Sequence, residues 1–154
     1  MPAQYEYTGY AWNPDLRKQP TFLREKWDFS RYQPDVVCIN LGTNDLSTPN
    51  YDEKLLKQNY QKLLKMVRQH NPKAKIVFLT GTMLYNKELE LQKRLLNEVA
   101  AEAQKSGDKQ VYRFDMPPID NNAFYGNDWH PNIYQDEKMA AELTVFLRQL
   151  MNWY

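Results

Sequence analysis

Cysteine is almost absent from this chain of 154 residues. Cys38 is the only one, so no disulfide can form within the chain. Its place in an apolar run gives it the character of a small core residue. Glycine is scarce as well, at five residues, and no glycine-rich run opens a helix, which argues against a phosphate-cradling loop. No apolar stretch approaches the roughly 18–20 residues that a membrane span requires. The first residues, Met1-Pro2-Ala3-Gln4-Tyr5-Glu6, lack the apolar centre of a signal peptide. Charge of a single sign is missing too. Twenty Lys+Arg against 19 Asp+Glu leave a net charge of +1, without a long block of either sign, so neither nucleic acid nor an anionic membrane is expected as a partner. With two histidines and no spacing that matches a ligand set, no metal is expected, and no cofactor.

What remains suffices for one domain with a real core, and hardly for two. The chain alternates strand-like and helix-like patterns. Val36 to Leu41 is a short apolar run between Pro34-Asp35 and Gly42, and reads as a buried strand. Asn50 and Glu53 form a capping pair for a helix with Leu56, Tyr60, Leu63, Leu64 and Val67 on one face, ending at His70-Asn71-Pro72. His70, in its last turn, suits a role against the helix dipole. Lys75 to Thr80 is a second strand. A second helix runs from about Lys87 to Lys105 with Gly107 as its stop. Val111 to Phe114 is a third strand. The polar, aromatic loop Asp115–Trp129 precedes a final helix with Met139, Leu143, Phe146, Leu147 and Leu150 inward, for which Asn132 and Gln135 are candidate caps. Ahead of all this, Tyr5 to Thr8 reads as a short strand ending at Gly9, and Asn13 to Pro34 as a long loop with one helical turn. Strand–helix alternation predicts an α/β fold, a parallel sheet with helices on both faces.

Such sheets carry their sites where strands end and loops begin. Two loops here hold the chemistry. Gly42-Thr43-Asn44-Asp45 follows the first strand; Gly42 permits a sharp turn, Asn44 offers an amide donor and Asp45 a carboxylate to hold the loop. Gly126-Asn127-Asp128-Trp129-His130-Pro131-Asn132 precedes the last helix. His130 is the candidate general base, with a neighbouring carboxylate to orient it. Pro131 keeps His130 extended.

The run Pro34-Asp35-Val36-Val37-Cys38-Ile39-Asn40-Leu41-Gly42-Thr43-Asn44-Asp45 resembles the third block of the SGNH hydrolases, also called GDSL esterases, and Asp128-Trp129-His130-Pro131-Asn132 resembles their fifth. Trp27-Asp28-Phe29-Ser30 and Ser106-Gly107-Asp108-Lys109 narrow the resemblance to the family-two carbohydrate esterases, which remove acetyl groups from plant polysaccharides. The resemblance implies a three-layer α/β/α, flavodoxin-like fold and acyl transfer by a serine. It implies His130 as general base, Asn44 as oxyanion donor, Gly9 as a second, backbone donor, and Gly42 and Trp129 against the substrate, an acetylated carbohydrate or other small ester.

Two departures qualify it. Most members carry an aspartate three residues before the histidine, where this chain has Asn127; Asp128 stands closer, so either its carboxylate or a backbone carbonyl orients the ring. The Gly-Asp-Ser nucleophile block is absent, and of the three serines, Ser30, Ser47 and Ser106, none follows Gly-Asp. The first strand of the fold is missing with it, which reads as an N-terminal truncation. The resemblance therefore implies an esterase-type domain inactive or weak by itself. The alternatives are a non-catalytic carbohydrate-binding remnant, or a subunit completed by a second chain carrying the missing strand.

Overall fold

The computed structural model describes residues 2–8, 25–119 and 125–154. Three strands, β1 (Val36–Asn40), β2 (Lys75–Thr80) and β3 (Val111–Asp115), form a parallel sheet in the order β1-β2-β3. Cys38 pairs with Val77, and Val77 with Tyr112. Parallel neighbours require crossovers, supplied by α2 (Glu53–His70) and α3 (Asn86–Lys105); a single turn, α1 (Thr43–Leu46), follows β1, and α4 (Ile133–Met151) closes the chain.

Side-chain alternation divides the sheet. Ile39, Ile76, Phe78 and Val111 face α2 and α3, joining Leu56, Tyr60, Leu63, Leu95 and Val99 in the main core. On the other face Phe114 meets Phe146 of α4, ring centroids 4.9 Å apart. Helix–sheet–helix is the three-layer order expected. The inner stripe of α4, from Met139 to Leu150, is only half-buried, and Gln135 is its one fully buried residue.

Several local expectations need correction. Asp52, not Asn50, caps α2: it stands next to the first helical residue, and its carboxylate accepts from Leu55 N at 2.9 Å. Tyr5–Thr8 is no strand; Tyr7 makes one isolated antiparallel bridge to Lys26. His70 does more than face a dipole. Its Nε2 lies 2.7 Å from Glu6 Oε1 and its ring stacks on Phe29 at 3.9 Å, which fastens the N-terminal segment to the end of α2. Cys38 is exposed rather than core. It shares a face with Val77, but α4 contacts Phe114 of β3 and Lys75 of β2, and β1 is the sheet's edge, paired only with β2 among the described residues. The helical turn expected before β1 is a 3₁₀ turn at Phe29–Arg31.

Arg68 knots the opposite, N-terminal edge of the sheet. It donates to both Asp108 oxygens (2.8 and 3.1 Å) and to the carbonyls of Asn71, Ala74 and Gln110. A lysine cannot reproduce this planar fork. Arg68→Lys is expected to cost about 2–3 kcal/mol, because several half-buried acceptors lose their donor. Urea unfolding checks it; a loss under about 0.5 kcal/mol would show that water replaces the guanidinium without cost.

Candidate functional site

Gly42 ends β1 with φ +110°, in the left-handed region, and leads into α1, where Asn44 stands exposed. The turn is bound from below. Tyr60 Oη donates to Leu41 O at 2.7 Å and Gln92 Nε2 to the same carbonyl at 3.0 Å. Leu46 N and Ser47 N close the turn on Gly42 O and Thr43 O. Thus hydrogen bonds from α2 and α3 hold the loop, in the role the sequence suggested for the Asp45 carboxylate. Burial, above all, pushes the Tyr60 hydroxyl pKa up, so it stays protonated as a donor. Asn44 lines a cleft of about 480 Å³ with Asp45, Thr48 and Tyr51. A larger cleft of about 620 Å³ lies between α2 and α3 beside Arg68 and Asp108, away from these loops.

The second loop is a tight turn before α4. Gly126 N donates to His130 O at 2.7 Å, His130 N to Asn127 O at 3.1 Å, and Tyr125 bridges to Pro131. A side chain at Gly126 would come within 3.1 Å of Pro131 O. Asn132 caps α4, accepting from Tyr134 N and Gln135 N. Gln135, the other candidate cap, is buried and serves elsewhere. Asp128 and Trp129 both have positive φ, 52° and 62°. Such left-handed conformations cost about 1–2 kcal/mol each in non-glycine residues. They turn the Asp128 carbonyl back onto the imidazole: His130 Nδ1 lies 2.8 Å from Asp128 O. A carbonyl can only accept, so Nδ1 is the donor in this bond, and in the neutral ring the lone pair falls to Nε2. Among the open choices, the bond to this ring is the backbone carbonyl's.

Trp129 is 72 % exposed and meets Tyr125 edge to face at 5.7 Å. The Tyr125 hydroxyl lies 2.5 Å from that of Tyr85, which also donates to Ile119 O. Desolvation, then the Tyr125 hydroxyl, pushes Tyr85 up to about 12. The sequence pattern does not single out Tyr85, and it marks Tyr125 only as part of an aromatic loop; the signal was the aromatic density around His130. Gly42 and Asn44 therefore sit at the exit of β1, and Asp128, Trp129 and His130 on the turn that enters α4 from the same edge. Gly9 lies outside the described residues. Of the serines, Ser47 bonds back to Asn44 O (3.2 Å), Ser30 to Asp28 (2.7 Å), and Ser106 ends α3; none is bonded to His130.

Residues 4–137 match the model of the GDSL-like lipase/acylhydrolase family. The chain belongs to that family. As a GDSL-like chain it is 40 % identical over 128 residues to the cellulase/esterase CelE of Acetivibrio thermocellus, covering 83 % of this chain and 16 % of that protein. It is 31 % identical to an acetylxylan esterase/glucomannan deacetylase of Cellvibrio japonicus, covering 83 % and 34 %. The structure of a family two carbohydrate esterase from Clostridium thermocellum, in complex with cellohexaose, superposes with a TM-score of 0.82 at 38 % identity, over 87 % of this chain and 41 % of that one. This GDSL-like chain thus spans less than half the length of each of these relatives, and its α/β/α sheet is the SGNH hydrolase fold of the esterases it resembles.

Proposed function

We propose that the chain supplies the base and the oxyanion donor of a carbohydrate deacetylase, as one domain-sized part of a larger active unit whose serine nucleophile stands on another segment. The observation that carries the reading is the His130 turn. Two strained residues hold the imidazole through Nδ1, and among the described residues nothing bonds Nε2, at the edge where Asn44 also stands.

In the reaction, a serine Oγ attacks the acetyl carbonyl carbon while its proton passes to His130 Nε2. Negative charge gathers on the former carbonyl oxygen, and the Asn44 amide, preset on its turn, donates to it. Collapse expels the sugar oxygen, which takes the proton from Nε2. Water then attacks the acyl-serine with the same base, releasing acetate. Exposed Trp129, backed by Tyr125, offers an apolar face to a sugar ring, and the cellohexaose complex of the structural relative supports a carbohydrate as the ligand class.

The edge of β1 supports the missing partner. Val36, Val37, Cys38 and Ile39 form an apolar strand with one side of its ladder unpaired among the described residues, and such edges are ordinarily paired or guarded by charge. A strand that carries Gly-Asp-Ser, from an upstream segment or a second chain, pairs there and covers Cys38.

The test compares the chain alone with the chain joined to an upstream Gly-Asp-Ser segment. On acetylated xylo-oligosaccharides only the joined form is expected to release acetate, inhibited by serine-directed reagents, and its Cys38 is expected to resist maleimide that labels the free chain. Equal hydrolysis by both forms, untouched by serine reagents, would overturn the proposal. The second reading, a glycan-binding domain without catalysis, is favoured by exposed Trp129 and the lack of a serine bonded to His130. It predicts heat on titration with xylo-oligosaccharides and no acetate release from either form.

A further inference from the structure

Five polar residues are buried among those described: Asn71, Thr80, Thr82, Gln92 and Gln135. Four of them gather at the C-terminal edge of the sheet, under the two candidate loops. Burial of an amide costs free energy unless its groups are bonded, so the natural occupant of a leucine-lined helix face is another aliphatic residue. Gln92 instead interrupts the stripe of Leu91, Leu95 and Leu96 with no exposure at all.

Its bonds explain the choice. Gln92 Oε1 accepts from Gly81 N at 3.1 Å, and Nε2 donates to Leu41 O at 3.0 Å. A reversed amide would face donor to donor and acceptor to acceptor, so this orientation is dictated. One side chain thereby joins the end of β1 to the end of β2, the two points from which the loops depart. The join is tight. A methyl on Gly81 would lie 2.3 Å from Thr43 Oγ1, and one on Gly42 would lie 2.0 Å from Tyr60 Oη. The turn that bears Asn44 therefore rests directly on Gly81.

The next residue, Thr82, begins a second set. Thr82 Oγ1 donates to Pro117 O at 2.6 Å, and Gln135 Nε2 donates to Thr82 Oγ1 (3.2 Å) and Pro117 O (3.0 Å). Met116 N donates to Thr80 Oγ1. Gln135 sits in the first turn of α4, three residues after the Asn132 cap and five after His130. Its Oε1 is buried without a partner among the described residues. An isosteric leucine would remove that orphan acceptor, so packing alone does not account for a glutamine.

We propose that Gln92 and Gln135 are positioning residues for acyl transfer. Through Leu41, Gly81, Thr82 and Pro117 they form one buried hydrogen-bonded frame that holds the Asn44 turn and the His130 turn at a fixed separation. The inference rests on the reading of those turns as oxyanion donor and base, and it assigns the frame that keeps the two in register when substrate arrives. Neither glutamine touches the substrate; each acts through the turn above it. A displacement of 1 Å at such groups lowers turnover about 10²-fold.

The test reads the frame in this chain alone, by nitrogen–proton NMR, so it does not depend on hydrolysis. In Gln92→Leu the Asn44 side-chain amide and the backbone amides of residues 42–47 are expected to shift and broaden, and Gly81 N–H exchange to quicken at least about tenfold. In Gln135→Leu the resonances of residues 125–132 are expected to move. Leu95→Ala, which weakens the same core, is expected to leave both sets in place. Tyr60→Phe, a mild change that removes the other donor to Leu41 O, is expected to move residues 42–47 in the same direction as Gln92→Leu and less far. Unmoved loop resonances in both leucine variants, or equal movement in Leu95→Ala, would overturn the proposal and leave the glutamines a packing role. Failure of the esterase reading would appear separately, as no acetate release from the serine-bearing form with both glutamines intact.

Discussion

His130→Ala, in the form of the protein that carries a Gly-Asp-Ser segment, is expected to lower acetate release at least about 10³-fold with little change in KM. Among the described residues of the two loops the imidazole is the candidate acceptor of the serine proton, and general-base assistance contributes on the order of 10²–10⁴-fold. The neighbouring carboxylate makes the sharper comparison. Because Asp128 holds the ring through its backbone carbonyl, Asp128→Asn is expected to retain activity within about fivefold, asparagine being well suited to the left-handed conformation that Asp128 adopts at φ 52°. Asp128→Val, which disfavours that conformation, is expected to lose far more, since the carbonyl no longer turns toward Nδ1. Initial rates on acetylated xylo-oligosaccharides decide it. An Asp128→Asn enzyme as impaired as His130→Ala would assign the orienting role to the carboxylate.

Gly42→Ala is expected to destabilise the fold by about 3 kcal/mol, from two separable sources. A φ of +110° is strained for any side chain, at about 1–2 kcal/mol. The added methyl also meets Tyr60 Oη at 2.0 Å, and forced overpacking in a closed site costs about 1–3 kcal/mol. Gly107 separates the two. It has nearly the same φ, +107°, but nothing within 4 Å of a methyl, so Gly107→Ala is expected to cost only the backbone part. Pairing Gly42→Ala with Tyr60→Phe is expected to recover some of the steric part, a coupling visible in a double-mutant cycle by urea unfolding. A Gly42→Ala loss equal to that of Gly107→Ala would show that the Tyr60 hydroxyl yields freely, and with it the rigidity attributed to the Asn44 turn.

Much of the architecture is legible in the residue pattern itself. Continuous apolar runs such as Ile76–Leu79 and the 3.6-residue spacing of Leu56, Tyr60, Leu63 and Val67 are local signals, and burial is all they need to encode. The Gly42–Asp45 and Asp128–Asn132 motifs point to the fold family in a different way, by the resemblance of their residues to that family's blocks. Cys38 reads as core in the sequence and is exposed in the fold, because a strand's apolar character says nothing about its place in the sheet. An edge looks like a centre until its neighbours are known. The carbonyl that holds His130 has no side-chain signature; it exists only through two left-handed residues in succession. Gln92 and Gln135 are likewise unreadable, one inside a leucine stripe and one in the guise of a cap, because their partners are groups 11 to 53 positions away. Residue type and period determined the three sheet strands and the long helices, and motif resemblance the family. Which atoms meet beneath the loops was decided by tertiary packing, since a backbone carbonyl or amide is the same in every residue until the fold gives it a neighbour.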